Sequence, residues 1–343
     1  MELHFTRENG PVDDIIDSLM ELAEGIQYPE VIREIILAAL KAGQEEREKT
    51  YLRLMNSTLK EMRFTSKVFG PYRNVKKVSV FGSARVQPGL PIYNMASLFG
   101  RKLAAKGYMV ITGGGPGIMQ AVNEGAGPQN SFGVNIQLPF EQETNHILKG
   151  NPRLIFFKYF FNRKIAFIKE ADAVALFPGG FGTFDEAMEA ITLVQTGKCE
   201  PMPLILLDQK KSSYWPTWLN FLKKELLSRG YINASDFDLF EQVNSVSDAV
   251  NIIDRFYSRY HSIRYIGDLL VIRITSAIDH IKIKKLKDSF SDILTPNGDL
   301  RLSGALPEEI DEPEIAHLPR IVIDFKRKNF GRLRNLIDAI NNL

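Results

Sequence analysis

The sequence is poor in cysteine and in long apolar runs. Cys199 is the only cysteine among 343 residues, so no disulfide can form within the chain, and a reducing compartment fits this composition. No apolar run reaches the roughly 20 residues that cross a bilayer, and the first residues, Met1 to Glu8, lack the pattern of a signal peptide. We therefore expect a soluble, cytoplasmic protein that has no membrane partner.

Charge of one sign and metal-ligating residues are also scarce. The net charge is only +2, which creates no global field to attract nucleic acid, so we expect no nucleic-acid partner. The five histidines lack the spacing of a metal site and stand at positions 4, 146, 261, 280 and 317. We therefore predict neither a metal centre nor a bound cofactor.

What is present is an ordinary globular composition arranged in three stretches. The chain is 44% hydrophobic and 24% charged, and its length suits two or three domains. Residues 1–72 read as a helical N-terminal extension, and residues 73–262 alternate strand and helix. Residues 263–343 contain both predicted strands and predicted helices and form a small C-terminal α+β domain. The alternation predicts an α/β fold with a doubly wound parallel sheet covered on both faces.

Apolar runs bounded by glycine and proline mark the predicted strands of this central stretch. They lie at 77–81, 108–112, 132–138, 171–177 and 203–207, with a short edge strand at 153–157. A helix is predicted from Tyr214 to Arg229, and the last one runs from Ala249 to Tyr260. In the C-terminal stretch, 268–275 and 320–325 are predicted strands, and 283–294 and 331–343 are predicted helices. Ligands of parallel sheets bind beyond the carboxyl ends of the strands, so glycine turns at those ends are candidate site elements.

The strongest such turn is the stretch Pro178-Gly-Gly-Phe-Gly-Thr-Phe-Asp-Glu186. It follows a buried strand and opens a helix, where free backbone N–H groups and the helix dipole favour an anion. Gly179, Gly180 and Gly182 would let a phosphate approach the backbone, and Thr183 adds a hydroxyl donor. The alternative is that Thr183 and Glu186 form a capping box that serves only the helix start. The three glycines favour phosphate binding.

A second glycine turn, Gly113-Gly-Gly-Pro-Gly117 followed by Ile118 and Met119, also comes after a strand. It fails the dinucleotide fingerprint because the third glycine position falls on Ile118, and it fails the Walker pattern because no Gly-Lys-Ser/Thr follows. A mononucleotide or sugar-phosphate cradle remains. A tight turn that needs glycine only for backbone geometry is the less favoured alternative.

Arg163 and Lys164 form a basic pair just before the phosphate-binding strand. Adjacent residues on a helix face different ways, so one of the two is expected to point inward while the other pairs at the surface.

These motifs, in this order, resemble the Lonely Guy family of nucleoside 5′-monophosphate phosphoribohydrolases, many members of which carry the label "possible lysine decarboxylase". The match rests on P-G-G-x-G-T-x-x-E at 178–186, the glycine turn at 113–119 and the Arg163–Lys164 pair. It is strengthened by the runs at 135–142 and 193–197 and covers roughly 75–225. The resemblance implies a Rossmann-like catalytic core and a homodimer or higher homo-oligomer. Gln120, where the family often has glycine, and the two extra terminal stretches depart from the short plant-type enzyme.

By resemblance, Arg163 and Glu186 would be the catalytic pair. The substrate-binding residues would be Gly82, Ser83, Arg85, Gly113, Gly114, Gly115, Gly117, Met119, Lys164, Gly179, Gly180, Gly182 and Thr183. The implied reaction is hydrolysis of a nucleoside monophosphate, AMP or a related nucleotide, to free base and ribose 5-phosphate. Its transition state resembles an oxocarbenium ion, which a carboxylate such as Glu186 can stabilise.

Two alternatives stay open. The first is a nucleotide-binding or molybdenum-cofactor-type carrier protein without turnover. The presence of both Arg163 and Glu186 argues against this alternative. The second is a decarboxylase, which normally needs pyridoxal phosphate on a lysine. Lys164 is the only lysine near the predicted site, and nothing in the sequence marks it as a Schiff-base residue.

Overall fold

The computed structural model describes residues 2–137 and 144–343. By contacts, the chain divides into two compact units, Met1–Phe64 and Thr65–Leu343. The division into three domains at residues 72 and 262 stays a prediction. Among the described residues, no helix is both long enough and apolar enough to cross a membrane.

The first unit is helical. Its helices are α1 (Pro11–Ala23), α2 (Pro29–Glu45) and α3 (Lys49–Phe69), which continues past the boundary between the units. Proline stands at the start of α1 and α2, where its missing N–H costs nothing. The buried side chains of Asp13 and Arg33 form an ion pair that joins α1 to α2.

The second unit contains a seven-stranded parallel sheet. Its strands are β1 (Lys77–Phe81), β2 (Met109–Thr112), β3 (Ser131–Ile136), β4 (Leu154–Phe157), β5 (Ala173–Leu176), β6 (Leu204–Leu207) and β7 (Glu241–Val243). The connecting helices are α4 (Pro91–Ala105), α5 (Ile118–Ala126), α6 (Phe160–Lys169), α7 (Phe181–Gln195), α8 (Tyr214–Phe221) and α9 (Val246–Phe256). The spatial order is β4-β3-β2-β1-β5-β6-β7, so the predicted doubly wound α/β fold is confirmed, with β4 at one edge.

Alternate residues of each central strand face opposite sides of the sheet. Val78 and Val80 belong to one apolar core, while Val174 and Leu176 belong to the other. Both faces are therefore covered by helices, which explains why these strands read as continuous apolar runs.

A second sheet is built by the C-terminal residues. Strands β8 (Tyr260–Ile266), β9 (Leu269–Ile274), β10 (Leu300–Ser303) and β11 (Arg320–Ile323) pair antiparallel in the order β10-β11-β9-β8. Helices α10 (His280–Ser289) and α11 (Phe330–Asn341) pack on one face of this sheet around a third apolar core. In α11 the buried Arg334 pairs with Glu241 of β7 at 3.1 Å, which ties this helix to the parallel sheet.

The structure corrects several expected elements. The last helix of the central stretch ends at Phe256, and Tyr260 already belongs to β8. The helix that starts at Tyr214 is α-helical only to Phe221 and continues as a π-helical turn, Leu222–Leu227. Leu138, which the apolar pattern includes in the third strand, lies outside the described residues.

Candidate functional site

The candidate site lies at the carboxyl ends of β1 and β5, the two central strands of the parallel sheet. The chain progresses from β1 toward β2 on one side, and β5 to β7 continue on the other side. The loops after β1 and β5 therefore diverge at this point, which is where ligands bind in doubly wound sheets. A cavity of about 830 Å³ opens here.

Three glycine loops and three helices line this cavity. Its lining includes Gly82, Ser83 and Arg85 after β1, Gly113 from the second loop, Met119 of α5, Arg163 of α6, and Gly179, Gly180, Gly182, Thr183 and Glu186 from the third loop and α7. The predicted residues Gly114, Gly115, Gly117 and Lys164 are not part of this lining. The substrate-binding roles of all these residues stay predictions.

The main chain of Ser83 joins the three loops. Its N–H donates to the Pro178 carbonyl at 3.0 Å, and its carbonyl accepts from the Ile118 N–H at 3.0 Å. At Gly117 the φ angle is +70°, and a Cβ there would lie 2.3 Å from the Ser83 carbonyl oxygen. Position 117 therefore needs glycine because two loops approach closely there. This agrees with the alternative that the turn needs glycine for its backbone geometry.

Helix α7 begins at Phe181 with Gly180 at its N-cap, and no side chain caps it. Thr183 is the third residue of the helix, so the capping-box alternative for Thr183 and Glu186 does not hold. The first N–H groups of a helix have no acceptor within it. Gly180, Phe181 and Gly182 line the cavity at this helix start, where an anion could accept from free N–H groups.

Two predicted catalytic side chains, Arg163 and Glu186, share this cavity. The Arg163 guanidinium lies over the rings of Phe167 and Phe160, with its central carbon 5.1 and 5.8 Å from their centroids. Burial lowers the pKa of Arg163 from its ordinary value, although Glu186 opposes this shift. Within the described parts of the chain, the buried Nε of Arg163 and the buried Oε2 of Glu186 have no hydrogen-bond partner. Unsatisfied buried polar atoms are rare in folded proteins, so both atoms are candidates for contact with a ligand.

Lys164 lies next to Arg163 but turns toward α7. Its Nζ is 2.9 Å from Asp185 Oδ2, 2.9 Å from Glu189 Oε2 and 3.4 Å from Glu186 Oε1. Burial would lower the pKa of Lys164, but hydrogen bonds to Asp185 and Glu189 outweigh it and raise that pKa. Of the basic pair, Arg163 is thus the residue that faces the site.

Glu186 is a buried carboxyl with one open oxygen. Burial raises the pKa of Glu186 above the ordinary value, and the charges of Lys164 and Arg163 limit the rise. A carboxyl in this state can accept a proton from water or stabilise a cation in contact with it.

Sequence reasoning missed the residues that support the loops. The Tyr214 hydroxyl donates to the Gly179 carbonyl at 2.6 Å and accepts from the Gly179 N–H at 3.2 Å. Behind the second loop, the buried Asn145 donates its main-chain N–H to the Gly114 carbonyl and its side-chain amide to the Gly115 carbonyl. The tyrosine at the start of α8 follows an apolar strand and a polar loop, but nothing in the sequence gives its partner.

No group of three or more histidine, cysteine, aspartate or glutamate side chains within 2–137 and 144–343 is placed to hold a metal ion.

Comparisons with known proteins agree with the motifs. Residues 118–253 match the model of a family described as possible lysine decarboxylase. The cytokinin riboside 5′-monophosphate phosphoribohydrolase LOG1 of Arabidopsis thaliana is 23% identical over 191 residues, which are 55% of this chain and 87% of that protein. The probable cytokinin riboside 5′-monophosphate phosphoribohydrolase LOG4 of Oryza sativa subsp. japonica is 26% identical over 173 residues, covering 48% and 71% of the two chains.

Among solved structures, the molybdenum cofactor binding protein from the phototrophic bacterium Rippkaea orientalis is similar at 18% identity. The TM-score is 0.38, and the match covers 52% of this chain and 96% of that one. The family model spans Arg163 and Glu186 together with the third glycine loop. Over this central segment, the chain is therefore similar to the family described as possible lysine decarboxylase, in agreement with the Lonely Guy family that its motifs resemble.

Proposed function

We propose that this protein hydrolyses the N-glycosidic bond of a nucleoside 5′-monophosphate, AMP or a related nucleotide, to free base and ribose 5-phosphate. The observation that carries the proposal is that Arg163 and Glu186 line one cavity at the start of α7, where Arg163 Nε and Glu186 Oε2 are both buried and without partners among the described residues. The relatives named as phosphoribohydrolases support the same reaction class.

The roles follow from the charges. The N–H groups at the start of α7 would hold the 5′-phosphate, and Thr183 adds its hydroxyl. Arg163 stays cationic, so it would orient the phosphate or the ribose rather than donate a proton. Glu186 would stabilise the cation that develops at C1′ and take a proton from the attacking water. The C1′–N bond breaks with its electron pair going to the base, and the water oxygen binds C1′ while one water proton passes to Glu186. The base nitrogen takes up a proton from solvent water, and Glu186 returns its proton to solvent, so that one water is consumed.

Lysine-dependent decarboxylation does not fit the site. A Schiff base with pyridoxal phosphate needs a lysine that can become neutral. Lys164 faces three carboxylates within 3.4 Å, and its pKa is raised. The family's descriptive label therefore does not describe the chemistry that we propose for this chain.

Base release decides the proposal. The protein is incubated with AMP, GMP, CMP and IMP, and free base is measured by chromatography. We expect Glu186→Gln to reduce release by about 10²–10⁴-fold, the usual contribution of acid–base groups. Glu189→Gln is the matched control, because Glu189 also pairs with Lys164 but lies outside the lining of the site. Release should persist in this variant. Nucleotide binding without release by the unmodified protein would instead support the carrier alternative.

We also propose that the chain acts as a homodimer in the cytoplasm. Two large aromatic side chains of the cavity lining are exposed, Phe160 at 53% and Phe181 at 95%. Exposed apolar side chains that cluster in this way are typical of association surfaces. We expect light scattering to report a dimer, and the Phe160→Ser, Phe181→Ser double variant to shift it toward monomer. A monomeric unmodified protein would contradict this part of the proposal.

A further inference from the structure

A second cavity, of about 500 Å³, lies at the opposite edge of the parallel sheet, near where β5 and β6 begin. It is bounded by α6, the last turns of α7, the segment 198–202 before β6, and the junction of α9 with β8. Its apolar wall includes Ile168, Ala171, Leu193, Pro201, Met202 and Tyr257. Its volume falls in the range that holds small organic ligands.

Most charged groups of this cavity already have partners. Lys164 pairs with Glu189 at 2.9 Å, and Asp172 pairs with Lys76 at 3.6 Å. A carboxylate oxygen of Glu200 accepts from the Tyr260 hydroxyl at 3.4 Å and from the Ile263 N–H at 3.5 Å, which directs it toward β8.

Two lysines of this cavity have no ion-pair partner in the described part of the chain. Lys169 and Lys198 line the cavity, and neither has a carboxylate oxygen within 4.0 Å among the residues that the structure describes. His261 adds no charge near neutrality, because burial and then the nearby charge of Lys76 lower its pKa. Glu200 also has no cation within 4.0 Å in the described part of the chain, so two lysines face one carboxylate without an ion pair, and the excess charge at the cavity is positive.

We propose that this cavity is a second binding site, which takes a small organic anion. Lys169 and Lys198 would hold a phosphate or carboxylate group, and the apolar wall would cover the rest of the molecule. Nothing in the proposed hydrolysis uses these residues, so the site is separate from the one that holds the substrate.

Lys164 connects the two cavities. It lines the second one, and its Nζ lies 3.4 Å from Glu186 Oε1 in the first. If the proposed function holds, a bound anion that attracts Lys164 would weaken its hold on Glu186. The second site is thus placed to act as an effector site.

Cys199 supplies a direct test of binding that does not depend on base release. It is the only cysteine of the chain, and it lines the second cavity. Alkylation by iodoacetamide is followed by intact mass at alkaline pH, since burial raises the pKa of the Cys199 thiol to about 11. The probes are phenyl phosphate, benzoate and benzylamine at equal ionic strength.

We expect phenyl phosphate to slow the alkylation in a saturable manner, and benzylamine to leave the rate unchanged. Comparison with benzoate shows whether phosphate or carboxylate is the preferred group. In the Lys169→Gln, Lys198→Gln double variant, the half-protecting concentration should rise at least about tenfold, which corresponds to about 1.4 kcal/mol. The control is Lys210→Gln, an exposed lysine after β6.

The proposal is overturned if neither anion protects Cys199, if benzylamine protects it equally, or if the double variant is protected as well as the unmodified protein. A failure to release base from any nucleotide would overturn the proposed function and leave this result unaffected, because the labelling rate reports only the second cavity.

Discussion

The hydroxyl of Tyr214 holds both main-chain polar groups of Gly179, donating to its carbonyl at 2.6 Å and accepting from its N–H at 3.2 Å. The N–H of Gly179 is therefore occupied by the protein. A phosphate would have to use the groups that follow it, at the start of α7. Tyr214 is thus a positioning residue for the third glycine loop.

Replacing Tyr214 by phenylalanine removes both hydrogen bonds and keeps the ring. An unpaired main-chain group costs about 1–3 kcal/mol, so we expect the free energy of unfolding to fall by that amount in urea titrations. The looser loop should raise KM for nucleotide more than it lowers kcat. Tyr231→Phe, at a side chain that is 73% exposed, is the control and should change neither quantity. An unaltered KM in Tyr214→Phe would show that the loop is held by other contacts.

Gly182, which lines the cavity, and Gly117, which lies behind it in the second loop, should differ in how alanine changes the free energy of unfolding. A Cβ at Gly182 would meet nothing within 4 Å, so Gly182→Ala should leave the free energy of unfolding unchanged or raise it by up to about 1 kcal/mol, since alanine favours a helix. A Cβ at Gly117 would strike the Ser83 carbonyl, and the φ of +70° disfavours it, so Gly117→Ala should destabilise by more than about 1 kcal/mol.

Activity then separates the two roles. If Gly182 is open to let a phosphate approach, Gly182→Ala should lower kcat/KM although the fold is intact. Thermal unfolding and base release, measured on the same preparations, check both expectations. Full activity in Gly182→Ala would place the phosphate elsewhere.

The pH dependence should report on Glu186. Its pKa is raised by burial, and the charge of Lys164 limits that rise. In the proposed mechanism the carboxylate is the active form, so kcat/KM should increase with pH through this raised pKa, above the ordinary range of glutamate.

Lys164→Met removes one of the charges that favour the carboxylate. The pKa of Glu186 should rise further, so the acidic limb of the kcat/KM profile should move to higher pH. Lys284→Met, at an exposed position of α10, is the matched control and should leave the limb in place. A limb that stays fixed in Lys164→Met would assign it to a group other than Glu186.

The C-terminal sheet depends on one buried carboxylate. Glu309 lies 2.7 Å from Arg273 and 3.1 Å from Arg320, and all three side chains are almost fully buried. Glu309→Ala would leave two buried guanidinium groups without this partner, so we expect a loss of about 3–5 kcal/mol in urea unfolding. The exposed neighbour Glu308→Ala should have little effect.

The same carboxylate predicts acid sensitivity. Burial would raise the pKa of Glu309, but hydrogen bonds from the Leu306 N–H, Arg320 and Arg273 outweigh it and lower that pKa. A lowered pKa stabilises the fold above the ordinary glutamate pKa, and this contribution is lost as the pH falls through the lowered value. Unfolding measured across the acidic range should therefore converge for the unmodified protein and Glu309→Ala.

Much of the parallel sheet was predictable, because buried parallel strands are continuous apolar runs that end at glycine turns. The strands that escaped prediction are β7, β8 and β10. In β8, Tyr260 lies four residues after Phe256, a helical spacing that extended the predicted α9 too far. Strand β7 has three residues, and β10 has polar residues on its open face, so neither shows a strong pattern.

The glycine loops, Arg163 and Glu186 were identifiable as local motifs. The residues that support these loops could not be identified from the sequence, because their hydrogen-bond partners are distant along the chain. Tyr214 and Gly179 are 35 residues apart, and Asn145 and Gly115 are 30 apart. Such contacts follow from the order of the strands rather than from any stretch of sequence. The same limit applies to Ser83, whose main chain joins loops that the motif alone treats as separate.

The strand order also constrains how the chain folds during its synthesis on the ribosome. Strand β1 can pair with β2 as soon as both have emerged, but its other side waits for β5, and the first link there, from the Lys77 N–H to Asp172, spans 95 residues. Until then β1 presents an unpaired apolar edge, which is a template for misassembly. A nascent chain that has not yet reached Gln195 would also lack part of α7, so the candidate site is completed only after β5 has paired with β1.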